Sequence, residues 1–142
     1  MSMQNQCFLA FDYGERRTGV AVGQSLTLSA QPLQTIDAIN NETNWQAINK
    51  LIEEWQPDQI IVGMPDNSQQ NKALRRKIRD FCDQLHTRCN LPVHTHDETL
   101  SSDEAYMHLK SRRQQSKGKI NKRDIDKVAA AIMLESWMHS NL

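Results

Sequence analysis

Cys7-Phe8-Leu9-Ala10-Phe11-Asp12-Tyr13-Gly14-Glu15-Arg16-Arg17-Thr18-Gly19-Val20-Ala21-Val22-Gly23 is the stretch on which the fold turns. Cys7 to Asp12 reads as a short buried strand and Thr18 to Gly23 as a second, with Tyr13 to Arg17 as the turn between them, so the pair predicts a hairpin. Asp12 ends an otherwise apolar run. A carboxylate there costs free energy to desolvate unless it gains a partner or points out of the sheet end, which makes it a candidate functional group. An Asp before a turn is also an ordinary Asx-turn signal, and Gly14 two residues later leaves room for a backbone to pass close to a ligand.

Working outward, Leu26 to Ile36 adds a third strand, interrupted or ended near Pro32, and Asn40 to Asn44 is loop. Trp45, Ile48, Leu51, Ile52 and Trp55 fall at helical spacing; Thr43 and Gln46 suit a capping box, and Pro57 stops the helix. Ile60-Ile61-Val62-Gly63 reads as a central parallel strand, because its apolar run is bounded on both sides by helices. The next helix puts Leu74, Ile78, Phe81, Cys82 and Leu85 on one face and leaves Arg75, Arg76 and Arg79 outward. Leu91 to Asp97 supplies a fifth strand. Ser101 or Ser102 can cap a helix from Asp103 to about Ser111, Ser116 to Lys122 is a basic loop, and a last helix begins with Asn121 as cap and runs to Trp137. A three-strand antiparallel meander followed by alternating helices and parallel strands predicts an α/β mixed five-stranded sheet with helices on both faces. Neither repeats nor linkers break the chain, so residues 1–142 are expected to form one domain.

Charge is balanced overall, with 17 basic and 17 acidic residues, yet it is unevenly spread. Six acids and one base lie between Asp37 and Asp66, whereas eight bases and two acids lie between Lys110 and Lys127. Lys72, Arg75, Arg76, Lys77 and Arg79 form a second basic group. Such segments suit a phosphate backbone through counterion release, although a solvated helix face has the same composition. Met1 to Gln6 lacks a basic and apolar leader, and no apolar stretch approaches the roughly 20 residues that cross a bilayer, so a soluble cytoplasmic protein is expected. Cys7, Cys82 and Cys89 show neither an even count nor C-x-x-C spacing and are read as apolar filling.

Two further acids share the position of Asp12 at the end of an element. Glu98 follows Asp97 where the fifth strand gives way to a helix, and Asp126 lies in the first turns of the last helix. There it can serve the helix dipole. It can also face the sheet, since Asp126, Ala129 and Ala130 share a side of the helix and the alanines permit close approach. Mg²⁺ and Mn²⁺ prefer oxygen ligands, so Asp12, Glu98 and Asp126 together could hold a pair of such ions about 3.5 to 4 Å apart for phosphodiester hydrolysis. That chemistry needs no cysteine or histidine nucleophile.

At this point the sequence resembles the YqgF (RuvX) family, associated with pre-16S rRNA nuclease and Holliday junction resolvase-like activity. The resemblance spans nearly the whole chain. It rests on Phe11-Asp12-Tyr13-Gly14 with Arg17, Gly19, Val20, Ala21 and Val22; on Ile60-Ile61-Val62-Gly63-Met64-Pro65; on His96-Asp97-Glu98 with Leu100-Ser101; and on Asp126 with Ala129, Ala130, Ile132, Leu134, Glu135 and Ser136. It implies a ribonuclease H-like fold, a metal-dependent nuclease with Asp12, Glu98 and Asp126 as catalytic and metal-holding acids, and trimming of the precursor of small-subunit ribosomal RNA in ribosome biogenesis. Arg17 matches the basic residue of the first-hairpin motif and is read, with Lys117, Lys119, Lys122 and Arg123 of the basic loop, as a nucleic-acid contact. Two departures stand out: Thr99 replaces the Arg that usually follows the Asp-Glu pair, and Asp66-Asn67-Ser68-Gln69-Gln70 lacks the Asp-Gly usual in that loop. Both concern substrate positioning.

Three other readings compete. The Asp-x-Gly hairpin also resembles the phosphate-binding strands of actin-like ATPases, but those enclose a nucleotide between two such domains. A DNA junction resolvase would use the same acids in a symmetric dimer, whereas an RNA-end trimmer can act as a monomer or weak homodimer. A nucleic-acid or ribosome-precursor binding module would use the basic segments alone. His94 and His96, two apart on a strand, could face one cation, but no third ligand falls at a zinc spacing. Trp45 and Trp55 are expected as core anchors.

Overall fold

In the computed structural model, which describes residues 4–97, 107 and 121–142, strand β1 (Cys7–Asp12) sends Leu9 and Phe11 to one side of a sheet and Phe8 and Ala10 to the other. The same two-residue alternation divides β2 (Arg17–Gln24), where Val20 and Val22 oppose Ala21, and β4 (Gln59–Met64), where Ile60 and Val62 oppose Ile61. These strands are buried on both faces, which is why they read as continuous apolar runs. With β3 (Ser29–Asp37) and β5 (Val93–Asp97) they form a five-stranded sheet ordered β3-β2-β1-β4-β5. The β1–β2 and β2–β3 pairs are antiparallel, and the β1–β4 and β4–β5 pairs are parallel. The expected mixed sheet is thus present, with Ile60 to Gly63 in an interior strand.

Helices cover both faces. On one side α1 (Trp45–Trp55) and α2 (Lys72–Cys89) bring Ile48, Leu51, Ile78, Phe81 and Leu85 onto Leu9, Phe11, Val20 and Val62. Trp45 stacks on Phe81 at a centroid distance of 5.4 Å, with the Arg88 guanidinium 4.3 Å from its ring centre, so this tryptophan anchors the apolar layer as expected. On the other side α3 (Lys122–Asn141) packs Ala130, Met133, Leu134 and Trp137 against Phe8, Ala10, Ala21 and Ile61. Small residues on both surfaces, alanines on the helix and Ala10, Gly19, Ala21 and Gly23 on the strands, let the helix axis come close to the sheet.

Several boundaries differ from expectation for identifiable reasons. The third strand starts at Ser29, since Ser25 to Leu28 form the turn after β2, and it continues past Pro32 to Asp37. Pro32 is tolerated because β3 is an edge strand and the register shifts there: Ala21 pairs with Pro32 and Val20 with Gln34, leaving Leu33 as the extra residue of a bulge. The predicted Thr43/Gln46 box gives way to Asn44, whose side chain caps α1 by accepting from Ala47 N at 3.2 Å. Helix α1 closes with Gln56 in the left-handed region just before Pro57. Arg75 is not wholly outward, because its Nη1 donates to the Pro65 carbonyl. Asn121 caps α3 as predicted, accepting from Asp124 N at 2.9 Å. Of the expected helix from Asp103 to Ser111 only Met107, which is helical, is among the described residues.

Candidate active site at the carboxyl edge of the sheet

Because β1, β4 and β5 run parallel, their C-terminal ends share one edge of the sheet, and Asp12 closes β1 there. By alternation with Phe8 and Ala10, Asp12 belongs to the face that α3 covers. Its partner across the β1–β2 ladder is Gly19. A Cβ on Gly19 would stand 2.1 Å from the Asp126 carbonyl oxygen and 2.8 Å from Lys127 N, distances that no side chain can meet. The backbone of α3 at Asp126 therefore rests directly on the strand position opposite Asp12. The missing methyl group of Gly19 thus lets the backbone of an acid 114 positions further along the chain reach the ladder partner of Asp12.

Asp126 is held there by Arg17, the first residue of β2, whose Nε donates to its Oδ2 at 3.1 Å. Both side chains are partly buried. Burial pushes the Asp126 carboxyl above the usual aspartate range, and Arg17, then Lys122 and Arg123, work in the opposite direction. A half-desolvated carboxylate with one guanidinium partner keeps lone pairs that a hard cation can use, so the donor chemistry of Asp12 and Asp126 fits Mg²⁺ or Mn²⁺. Glu98 and Thr99 lie outside the described residues, as do Lys117 and Lys119. Among the described residues no group of three His, Cys, Asp or Glu side chains stands close enough to hold a metal.

The remaining predicted contacts have definite neighbours. Arg123 binds the Asp37 carboxylate through Nη1 and the Thr35 carbonyl through Nη2 at 3.0 Å, while the Thr35 hydroxyl donates to the Arg123 carbonyl. This clamp fixes the first turn of α3 to β3. Lys122, the first residue of α3, is exposed. His94 and His96 share the α3 side of β5: His94 Nε2 meets Gln59 Oε1 at 2.7 Å and stacks on Trp137, and His96 Nε2 meets Ser136 Oγ at 3.0 Å. Sequence reading missed the Arg17–Asp126 pair and the role of Gly19. The signal available for the second was a glycine inside a strand, which marks close approach of another backbone; nothing in the spacing announced the first.

A family model described as RuvX, Holliday junction resolvase, matches residues 6–140. Similar proteins include one from Pseudomonas putida, 41% identical over 134 residues covering 94% of each chain, and one from Haemophilus ducreyi, 43% identical over 136 residues covering 94% of this chain and 96% of the other; each bears the name "Putative pre-16S rRNA nuclease". Among solved structures, Thermus thermophilus RuvC in complex with Holliday junction substrate superposes with a TM-score of 0.55 at 14% identity, over 95% of this chain and 94% of the other. Fowlpox virus resolvase with its Holliday junction DNA gives 0.59 at 14% identity, over 96% and 99%. At such identities the likeness is one of fold, the ribonuclease H-like arrangement of sheet and helices.

Proposed function

Because the chain belongs to the RuvX family, we propose that it is a nuclease that hydrolyses phosphodiester bonds in structured nucleic acid, with pre-16S ribosomal RNA as its substrate. Asp12, Glu98 and Asp126 are the acids of its active site, within a single domain. The observation that carries this reading is the contact of the α3 backbone with Gly19, directly across the ladder from Asp12. It supports the reading because the backbone that carries Asp126 meets the ladder partner of Asp12, and in the sequence Glu98 is the residue after Asp97, the last of β5.

The three acids would hold two divalent ions, Mg²⁺ or Mn²⁺, which when bound supply the activation of water and the stabilisation of the leaving oxygen in phosphodiester hydrolysis. The protein's own groups do the positioning. Arg17 orients the Asp126 carboxylate through Nε and opposes the effect of burial on its ionisation. The Asn121 cap and the Arg123 clamp fix the first turn of α3 and so the height of Asp126 above the sheet. Lys117, Lys119 and Lys122 supply cations for the phosphate backbone, and Arg17 and Arg123 add positive potential beside the acids.

Cleavage of a structured RNA carrying a 5′ extension and of a four-way DNA junction, each with Mg²⁺, with Mn²⁺ and with chelator, tests this. The native chain is expected to cut the RNA only with metal, and Asp12→Asn and Asp126→Asn to lose at least about 100-fold in rate, the scale of removing a group that acts in the transition state. Equal rates in native and substituted chains would reject the assigned acids. The description of the RuvX family as Holliday junction resolvase favours a second reading, a DNA resolvase; preferential cutting of the junction would establish it. Metal-independent binding without cleavage of either substrate would leave a binding module.

A further inference from the structure

A second charged feature lies at the same edge of the sheet on the opposite face from α3. Past Met64 the chain leaves β4 through Pro65, makes one turn of 3₁₀ helix (Gln69–Asn71) and enters α2 at Lys72. Lys72, Arg75 and Arg79 are spaced i, i+3, i+7 and so project from one side of α2, where they line an open cleft of about 340 Å³ with Asn67, Ser68 and Gln69. Among the described residues no acid lines this cleft. The Ser68 side chain, then Ser68 N at 3.1 Å and Asn71 Nδ2 at 2.8 Å, with a smaller contribution from the Arg75 charge, hold the carboxyl of Asp66, the nearest acid on the loop, below the usual range. Among the described residues none of the three cations makes an ion pair, and the one hydrogen bond from them is that of Arg75 to the Pro65 carbonyl.

This arrangement is electrostatically unfavourable in the isolated chain. Three like charges share one helix face, and two of them occupy the first turn of α2, where the helix dipole already presents positive potential. Helix α3 shows the ordinary solution, with Asp124 in its first turn and a side-chain cap. In α2 the first turn carries no acid and Asn71 makes no capping bond. A ligand bearing negative charge and several acceptor oxygens relieves the mutual repulsion and meets the uncapped first turn of α2. The cleft follows β4, the neighbour of β1, and so lies at the edge of the sheet where Asp12 ends its strand.

We propose that the Lys72/Arg75/Arg79 cleft is a phosphate-binding site that holds the substrate's backbone on the α2 side of the catalytic edge. This rests on the reading of the chain as a nuclease, and it assigns to Lys72, Arg75 and Arg79, but not to Arg76 or Lys77 of the same basic group, a role apart from that of the basic loop before α3. Its ligand is a phosphodiester of the nucleic-acid strand, taken without regard to base.

Binding is measured on the Asp12→Asn background, with a fluorescent RNA hairpin bearing a single-stranded 5′ extension, between about 50 and 200 mM salt. Lys72→Gln with Arg79→Gln removes two cleft charges and leaves Arg75, whose bond to Pro65 supports the loop. Lys50→Gln with Arg76→Gln removes two exposed charges outside the cleft as a matched control. The cleft pair is expected to weaken binding about tenfold and to lower the slope of log K against log salt by roughly 1.4 to 1.8, two phosphate contacts at ~0.7 to 0.9 each. The control pair is expected to stay near the parent, and Lys72→Arg with Arg79→Lys to keep parental affinity. Equal affinity and slope in cleft and control pairs, with parental thermal midpoints, overturns the cleft while leaving the nuclease intact. So does a cleft pair that loses resonance shifts with inorganic phosphate but keeps its hold on RNA, since the site then takes free anion. If the native chain neither binds nor cuts the hairpin or a DNA junction, the nuclease reading falls first and the cleft with it.

Discussion

Asp126 sits where two opposed effects meet, burial raising its proton affinity and Arg17 lowering it, with burial the larger. The sign follows from linkage: an acid whose folded pKa lies above its unfolded value stabilises the fold below the unfolded value, and that contribution is lost as pH rises through the folded one. In metal-free buffer the stability of Asp126→Asn relative to the native chain is therefore expected to rise as pH goes from about 4, the ordinary Asp value, to neutrality; thermal midpoints across that range check it. A difference independent of pH would mean that the carboxyl is not desolvated. Cleavage should correspondingly fall off on acidification at a pH above the ordinary Asp value, since a bound proton competes with the cation. The cysteines behave differently. Burial pushes the Cys82 thiol up to about 11, and Cys7 and Cys89 are raised in the same direction. As thiolate is the reactive form, Cys82 is expected to be alkylated far more slowly than a free thiol at pH 8, readable by mass spectrometry with iodoacetamide.

At the scale of elements, the site depends on how tightly α3 seats on β2. Gly19→Ala forces a methyl into backbone atoms of Asp126 and Lys127, which cannot rotate away, whereas Gly23→Ala meets only the side-chain ends of Leu134 and Met138. Gly19→Ala is therefore expected to cost about 1–3 kcal/mol or more and to depress cleavage even where the chain is still folded, because α3 carries Asp126 away with it. Gly23→Ala should cost less and leave cleavage nearly intact. Urea midpoints with activity measured in parallel give both numbers. The Thr35–Arg123 clamp makes a gentler test: Thr35→Val removes one partly buried hydrogen bond, worth about 0.5–1.5 kcal/mol, and loosens the same helix end. Most of these elements were legible beforehand, since strands buried on both faces and helices with one apolar side announce themselves by period. The course of β3 past Pro32 and the cap of α1 were not, because a bulge and a choice between two neighbouring polar caps are decided by pairing geometry and not by local composition.

For the whole molecule, the proposed acids make stability a function of metal. Divalent cation that binds the folded chain alone raises its stability by RT ln(1 + [L]/Kd), about 2.7 kcal/mol at a hundred times Kd. Mn²⁺ is expected to raise the thermal midpoint of the native chain and to do little for the Asp12→Asn, Asp126→Asn double substitution; equal shifts in both would place the ion elsewhere. The succession of strands and helices along the chain, the mixed sheet with helices on both faces and the identity of Asp12 and Asp126 as acids at element ends were all within reach of the sequence by itself. Each depends on patterns a few residues long, in which side-chain polarity follows backbone period. What only the tertiary structure decided was adjacency: that Gly19 opens the space through which α3 reaches the partner position of Asp12, that Arg17 turns to Asp126, and that Arg123 clamps a helix. Contacts between segments some hundred residues apart leave no period in the chain, because they arise when two independently patterned surfaces are pressed together by the burial of their apolar faces.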